Sequence, residues 1–203
     1  DSIRRALIKA GHEVVVAATG ATGHSAIVPW ALNRMLDTKF KVVTGYKSSA
    51  AAALAMEQGE ATALGTVSWP VLAQGKPEWL AKKQVTLLYV NDISRHPRQP
   101  DVPTLGELAQ NEDDRKVLRL LASPAALGRS YVAAPGVPVE RTAALRNAFS
   151  ALVKDPVFLA DAEKRRIDIS PLSGEELTDV VKEAASASPA IVERTKRLIR
   201  RPD

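Results

Sequence analysis

From Glu13 onward, short runs of β-branched residues alternate with stretches of helical periodicity, the pattern of βαβ units around a parallel sheet. Val14 to Ala18 reads as a buried strand. The following segment places Val28, Ala31, Leu32 and Met35 at i, i+3, i+4 and i+7, which predicts a helix with one face on a core. Phe40 to Val43 is a second strand, Ser49 to Gln58 an Ala-rich helix, and Gly59 stands where a left-handed C-terminal cap belongs. Ala61 to Gly65 is a weaker third strand and Val85 to Val90 a strong fourth. A Pro-punctuated irregular passage follows, Ser94 to Pro103, and Thr104 to Glu107 carries a capping-box pattern.

In the C-terminal third, a helix is expected over 113–123, a short strand at Tyr131 to Ala133, and a rigid turn at Ala134 to Pro138. Leu145, Ala148, Phe149, Leu152 and Val153 then give a helix a full apolar face. Asp155-Pro156 ends that helix and starts another, Ile167 to Ile169 alternates like a strand, and Ser173 to Glu176 forms a second capping box. Leu177, Val180, Val181 and Ala184 stripe the next helix, and a basic amphipathic helix closes the chain from about 189 to 200.

Composition narrows the function classes. With 203 residues, 45% of them hydrophobic, the chain can bury a core, and no run approaches the ~20 apolar residues of a membrane span. It therefore reads as soluble. Asp1-Ser2-Ile3-Arg4-Arg5 leads into a mixed segment rather than an apolar leader, so an export signal, if the protein is exported, lies outside this sequence. The absence of cysteine excludes disulfides and thiol chemistry without deciding compartment. A net charge of +5 fits an anionic ligand or a basic surface. Lys and Arg are scattered with small clusters at Lys82-Lys83, Lys164-Arg165-Arg166, Lys196-Arg197 and Arg200-Arg201, nine aromatic residues offer little base stacking, and no nucleic-acid-binding motif is present, which argues against a nucleic-acid module.

Catalytic patterns are missing. His12, His24 and His96 have no metal-ligand spacing, no Gly-x-Ser-x-Gly elbow occurs, and Glu57, Glu60, Asp92 and Asp101 form no recognisable acid/base pair. The informative local chemistry lies at three strand-to-helix junctions. Thr19-Gly20-Ala21-Thr22-Gly23-His24-Ser25 offers free backbone N–H groups, a helix N-terminus and hydroxyls suited to a carboxylate, and lacks the Gly-Lys-Ser/Thr of a phosphate loop. It reads equally well as a capped tight turn. Thr44-Gly45-Tyr46-Lys47-Ser48-Ser49 repeats the chemistry and Gly65 to Pro70 supplies a third junction; in a parallel sheet all three meet on one edge.

Several blocks resemble the receptors of tripartite tricarboxylate transporters, the Bug-type periplasmic solute-binding proteins. Phe40-Lys41-Val42-Val43-Thr44-Gly45-Tyr46 with Leu54 to Glu60 is similar to one block of that family, Asp101 to Leu108 to a second, and Ala134 to Pro138 through Arg141, Leu145, Arg146, Phe149 and Asp155-Pro156 to a third. Thr19 to Ser25 resembles the family's ligand loop.

The resemblance implies a periplasmic-binding-protein-like α/β fold with a parallel-rich sheet flanked by helices. One lobe, residues 1–125, is expected to be complete; residues 126–203 would be the C-terminal part of the other lobe, incomplete because the family's further N-terminal stretch, with its Gly-Gly-x-x-Asp-like loop, is missing here. That part is expected either to pack on another chain or to expose an apolar patch. The implied function is a non-enzymatic periplasmic receptor that captures a small carboxylic acid and delivers it to membrane permease subunits, without cofactor, metal or nucleic acid. The ligand contacts implied are Thr19, Gly20, Thr22, Gly23, His24 and Ser25, with Thr44, Gly45 and Tyr46. Where many members carry an acidic residue after Gly-Glu, this chain has Ala61-Thr62, so no charge contact is carried over there. A receptor feeding a membrane sensor kinase would look the same, and a basic nucleic-acid-binding module is the more distant alternative.

Overall fold

A computed structural model describes residues 14–128, 130–165 and 167–202. The chain divides into two compact units, the first comprising residues up to 122 together with 187 onward, the second 123–186.

The first unit is α/β. Three strands, β1 (Val14–Ala18), β2 (Phe40–Thr44) and β3 (Ala63–Leu64), form a sheet in the order β2-β1-β3. Both pairings are parallel, with Val14 opposite Phe40, Ala18 opposite Thr44 and Ala17 opposite Leu64. Alternation along β1 sends side chains to opposite faces. Val16 joins a core built from α1 (His24–Leu36), α5 (Glu112–Leu127) and α9 (Pro189–Leu198), in which Val28, Leu32, Leu105, Val117 and Leu118 are fully buried. Ala17 packs with Ala52 and Ala61 on the other face, beside α2 (Ser49–Glu57). Next to it α3 (Trp69–Gly75) and α4 (Pro77–Ala81) bury Leu72 and Trp79 against Ala53. Cover on both faces accounts for the all-apolar central strand β1, whereas the edge strand β2 leaves Lys41 and Val43 exposed.

Several local expectations hold for identifiable reasons. Gly59 follows the last turn of α2 at φ +79°, a conformation that needs glycine. The capping box at Thr104 is complete: the Glu107 N–H donates to Thr104 Oγ1 and the Thr104 N–H to Glu107 Oε2, opening a 3₁₀ turn over Leu105–Leu108. The Arg95 guanidinium and the Thr104 N–H hold the Glu107 carboxyl down at about 2, against an ordinary 4.5. Because the folded value is the lower one, the stabilisation is present above the ordinary pKa and is lost as pH falls from about 4.5 towards about 2. Thermal melts across this window are expected to drop less for Glu107→Gln than for the parent; equal slopes would remove this pair from the acid response.

Other expectations are corrected. Val85 to Val90 is not a ladder strand; only Val90 forms a bridge, parallel to Thr104, with its N–H on the Pro103 carbonyl and its own carbonyl taking the Leu105 N–H. The neighbouring edge strand β3 has just two residues, so there is little ladder to extend, and the segment is held by packing of Leu87 and Leu88 and by the Tyr89 hydroxyl on the Gly65 carbonyl at 2.7 Å. Burial pushes that phenol well above its ordinary pKa. Tyr131 to Ala133 and Ile167 to Ile169 form no strand either; Tyr131 and Val132 are 91% and 86% exposed, with no sheet edge to join among the described residues of their unit.

The last helix, α9, belongs to the first unit. Its anchor is an ion pair between Arg194 and the buried Asp114, whose second oxygen accepts from Asn111 Nδ2 at 2.9 Å.

The second unit holds the end of α5 and α6 (Val139–Leu152), α7 (Pro156–Lys164) and α8 (Gly174–Ala185). Asp155 caps α7 through the N–H groups of Val157 and Phe158, and Ser173 with Glu176 closes the second capping box. Yet α6 has no buried residue, and α7 and α8 bury only Ala162 and Val180. Leu145, Val139 and Val157 stand 63%, 83% and 78% exposed. The helices keep their apolar faces and leave them uncovered.

Candidate functional site

Because the strands are parallel, the three expected junctions leave the same edge of the sheet: residues 19–25 after β1, 45–48 after β2 and 65–68 after β3. Ligands in open α/β sheets occupy this carboxyl edge.

The first junction is an ordered turn. The Gly23 N–H donates to the Gly20 carbonyl at 3.3 Å, and the Gly23 carbonyl accepts from Ala26 and Ile27, which starts α1. Gly23 is the N-cap and has no side chain to offer, so the N–H groups of His24 and Ser25 find no acceptor among the described residues. They lie at the positive end of a 13-residue helix with no acidic residue in its first turn. Thr22 is exposed and His24 half-exposed beside them.

Ser25 differs from expectation. It is 7% exposed, and its Oγ accepts the Thr19 N–H and pairs with Thr19 Oγ1, both at 3.2 Å. Its hydroxyl thus fixes the turn from within. A ligand on this edge would meet Thr22, the two helix N–H groups and the outer side of Thr19.

At the second junction Gly45 adopts φ +113°, the Tyr46 N–H reaches the Ala18 carbonyl at 3.4 Å, and the Tyr46 ring packs on the cluster of Ala17, Ala52 and Ala61. Thr44 is half-buried and Lys47 exposed. The Ser48 hydroxyl is engaged as the cap of α2, accepting from Ala51 at 3.1 Å. This junction therefore offers Thr44, Gly45 and Lys47, while the Tyr46 ring is a packing group.

The third junction is tied to the first by close approach. A Cβ on Gly65 would lie 1.8 Å from the Ser25 carbonyl oxygen. That carbonyl faces Pro29 one turn on, and Pro29 has no N–H to give it. Gly65 also donates to the Ala17 carbonyl at 3.3 Å and accepts from Tyr89, so β1, α1, β3 and the segment before Asn91 meet at one glycine.

The sequence reading missed the loop beyond. The Trp69 and His96 rings sit 4.2 Å apart, which sets the Pro-rich passage against the third junction. His96 Nδ1 accepts the Arg98 N–H at 3.2 Å, so a neutral ring carries its proton on Nε2. Burial raises the Asp92 carboxyl above its ordinary value, opposed by the Ile93 and Ser94 N–H groups and by His96. An aromatic residue at the start of α3 was the only hint of this contact in the sequence.

Among the described residues no three His, Cys, Asp or Glu side chains gather to hold a metal, and no helix is long and apolar enough to cross a membrane. A cavity of about 320 Å³ lies elsewhere, in the second unit, lined by Thr142, Arg146, Asn147, Ser150 and Glu175 among others. It borders the uncovered face of α6, and Arg146 is already paired with Glu175 at 3.0 Å, so the strand edge is the better-built site. No protein-family model, curated protein or solved structure matches this chain.

Proposed function

We propose that the chain belongs to a periplasmic solute-binding receptor of the tripartite tricarboxylate type, capturing a small carboxylic acid and handing it to a membrane permease. One observation carries the reading: three parallel strands end on one edge, where the N-terminus of α1 presents the N–H groups of His24 and Ser25 without an acceptor among the described residues. The family resemblance of the blocks around Phe40 to Glu60 and Asp101 to Leu108 supports the same assignment.

Such an edge binds by neutral donors. One ligand carboxylate oxygen would take the two helix N–H groups and the other the Thr22 hydroxyl, with the helix dipole and Lys47 adding favourable charge. No catalytic base or nucleophile takes part, which suits a receptor that releases its ligand unchanged.

Calorimetric titration with mono-, di- and tricarboxylates tests this. Hydrogen bonds to a charged group contribute about 1.5–3 kcal/mol, so Thr22→Ala should weaken binding roughly ten- to hundredfold. Ser25→Ala should weaken it at least as much, because the Thr19 N–H loses its acceptor and the turn its internal brace. Unchanged affinity in both variants, or no carboxylate binding at all, would return the loop to a capped turn.

A further inference from the structure

A run of basic side chains lies along α9 and just beyond its C-terminal end. Residues 187–203 contain five basic side chains and two acidic ones, a net of +3. Two of the five are locally neutralised, Arg194 by Asp114 and Lys196 by Glu193. Arg197, Arg200 and Arg201 are exposed; Arg197 shares Glu193 with Lys196, while Arg200 and Arg201 form no salt bridge among the described residues.

Arg34 joins them. It is exposed in the last turn of α1, and its Nη1 donates to the Leu198 carbonyl at 2.7 Å, which brings the C-termini of α1 and α9 side by side. Arg34, Arg197, Arg200 and Arg201 thus lie at or just beyond the C-terminal ends of α1 and α9, none of them in a salt bridge among the described residues. Cations in a last helical turn offset the helix dipole, which accounts for Lys196 and Arg197 but not for Arg200 and Arg201 beyond the helix end.

We infer that this arginine corner is a docking surface for the phosphate headgroups of an anionic lipid bilayer. Guanidinium forks match phosphate oxygens two at a time, better than lysine would. Residues 187–202 contain no aromatic ring for base stacking, which favours a lipid surface over a nucleic acid. The apolar side of α9 is already used: Ile191 is buried, and Leu198 and Ile199 pack against the core of the first unit. The contact is therefore electrostatic and peripheral, without insertion. It also leaves the candidate ligand edge free, since the 13 residues of α1 separate the two by about 20 Å.

Co-sedimentation with phosphatidylglycerol vesicles at low salt is the test, with phosphatidylcholine vesicles and a short DNA duplex as parallel arms. Binding to the anionic vesicles alone, lost at about 0.5 M salt, is expected. Each basic residue near an anionic surface contributes roughly fivefold, so combined Arg197→Gln, Arg200→Gln and Arg201→Gln should lower partitioning about a hundredfold. The pair Arg200→Gln and Arg201→Gln, placed beyond the helix end, should lower it about 25-fold without touching α9. Equal binding to neutral vesicles, no binding at low salt, or unaltered partitioning of both variants overturns the inference. Tighter, arginine-dependent binding to the duplex overturns the lipid assignment.

Discussion

Gly65→Ala is expected to unfold the carboxyl edge of the sheet. The added Cβ would lie 1.8 Å from the Ser25 carbonyl oxygen, 2.7 Å from its carbon and 3.0 Å from its Cα, all backbone atoms, so no rotamer change relieves the clash. Either α1 or β3 must retreat, which breaks the Gly65 bond to Ala17 and the Tyr89 bond to Gly65. A loss on the order of 4 kcal/mol is expected, in the range reserved for strained core changes. Gly20→Ala is the control, since a Cβ there meets nothing within 4 Å and the φ is not left-handed. It should fall within about 0.5 kcal/mol of the parent. Urea titration by tryptophan fluorescence reads the right unit, because Trp30, Trp69 and Trp79 all lie in the first one. A Gly65→Ala protein with the parent's midpoint would show that the close approach does not exist in solution.

Arg194→Ala is the second large effect. Asp114 is 5% exposed, and removing the guanidinium leaves its carboxylate in the core with Asn111 as its remaining side-chain donor. Breaking a buried pair in this way costs several kcal/mol; with Arg194 itself about a third exposed, about 2–4 kcal/mol is expected. The opposite deletion is cheaper, because a stranded Arg194 can turn to water. Combining Arg194→Met with Asp114→Leu should recover most of the loss, as apolar replacements of buried pairs commonly do. The same fluorescence-detected urea series measures all three. Equal costs for the two single deletions would mean that the pair is solvated.

How far the sequence speaks depends on the range of the interaction. β1, β2 and α1 were legible because their patterns are local, and the caps at Gly59, Thr104, Asp155 and Ser173 are short-range hydrogen-bond devices. Val85 to Val90 looked like a strand because a run of β-branched and large apolar residues reports burial; whether a ladder forms depends on the length of β3, which is set elsewhere. Tyr131 to Ala133 failed for the same reason in reverse, being apolar residues without a surface to join. The return of α9 to the first unit rests on a partner 80 positions away, which no periodicity encodes.

The site shows the same division. Parallel pairing was enough to gather the three junctions on one edge, as alternating strands and helices implied. The inward role of the Ser25 hydroxyl and the packing role of the Tyr46 ring were not visible, since residue type does not give side-chain direction at a turn. Pro29 four residues after Ser25 was the overlooked clue to Gly65: it leaves a carbonyl without a helical donor, and a glycine backbone lies against it.

The clamp between Ser25 and Thr19 also bears on time and entropy. Ordering one residue of a free loop costs about 1–2 kcal/mol, and in this turn that ordering is completed during folding. A molecule arriving at the edge meets donors already aimed, so little of its contact energy is spent on arranging the turn. Association there should accordingly run close to the rate of diffusional encounter, with residence time, rather than loop closure, distinguishing one guest from another.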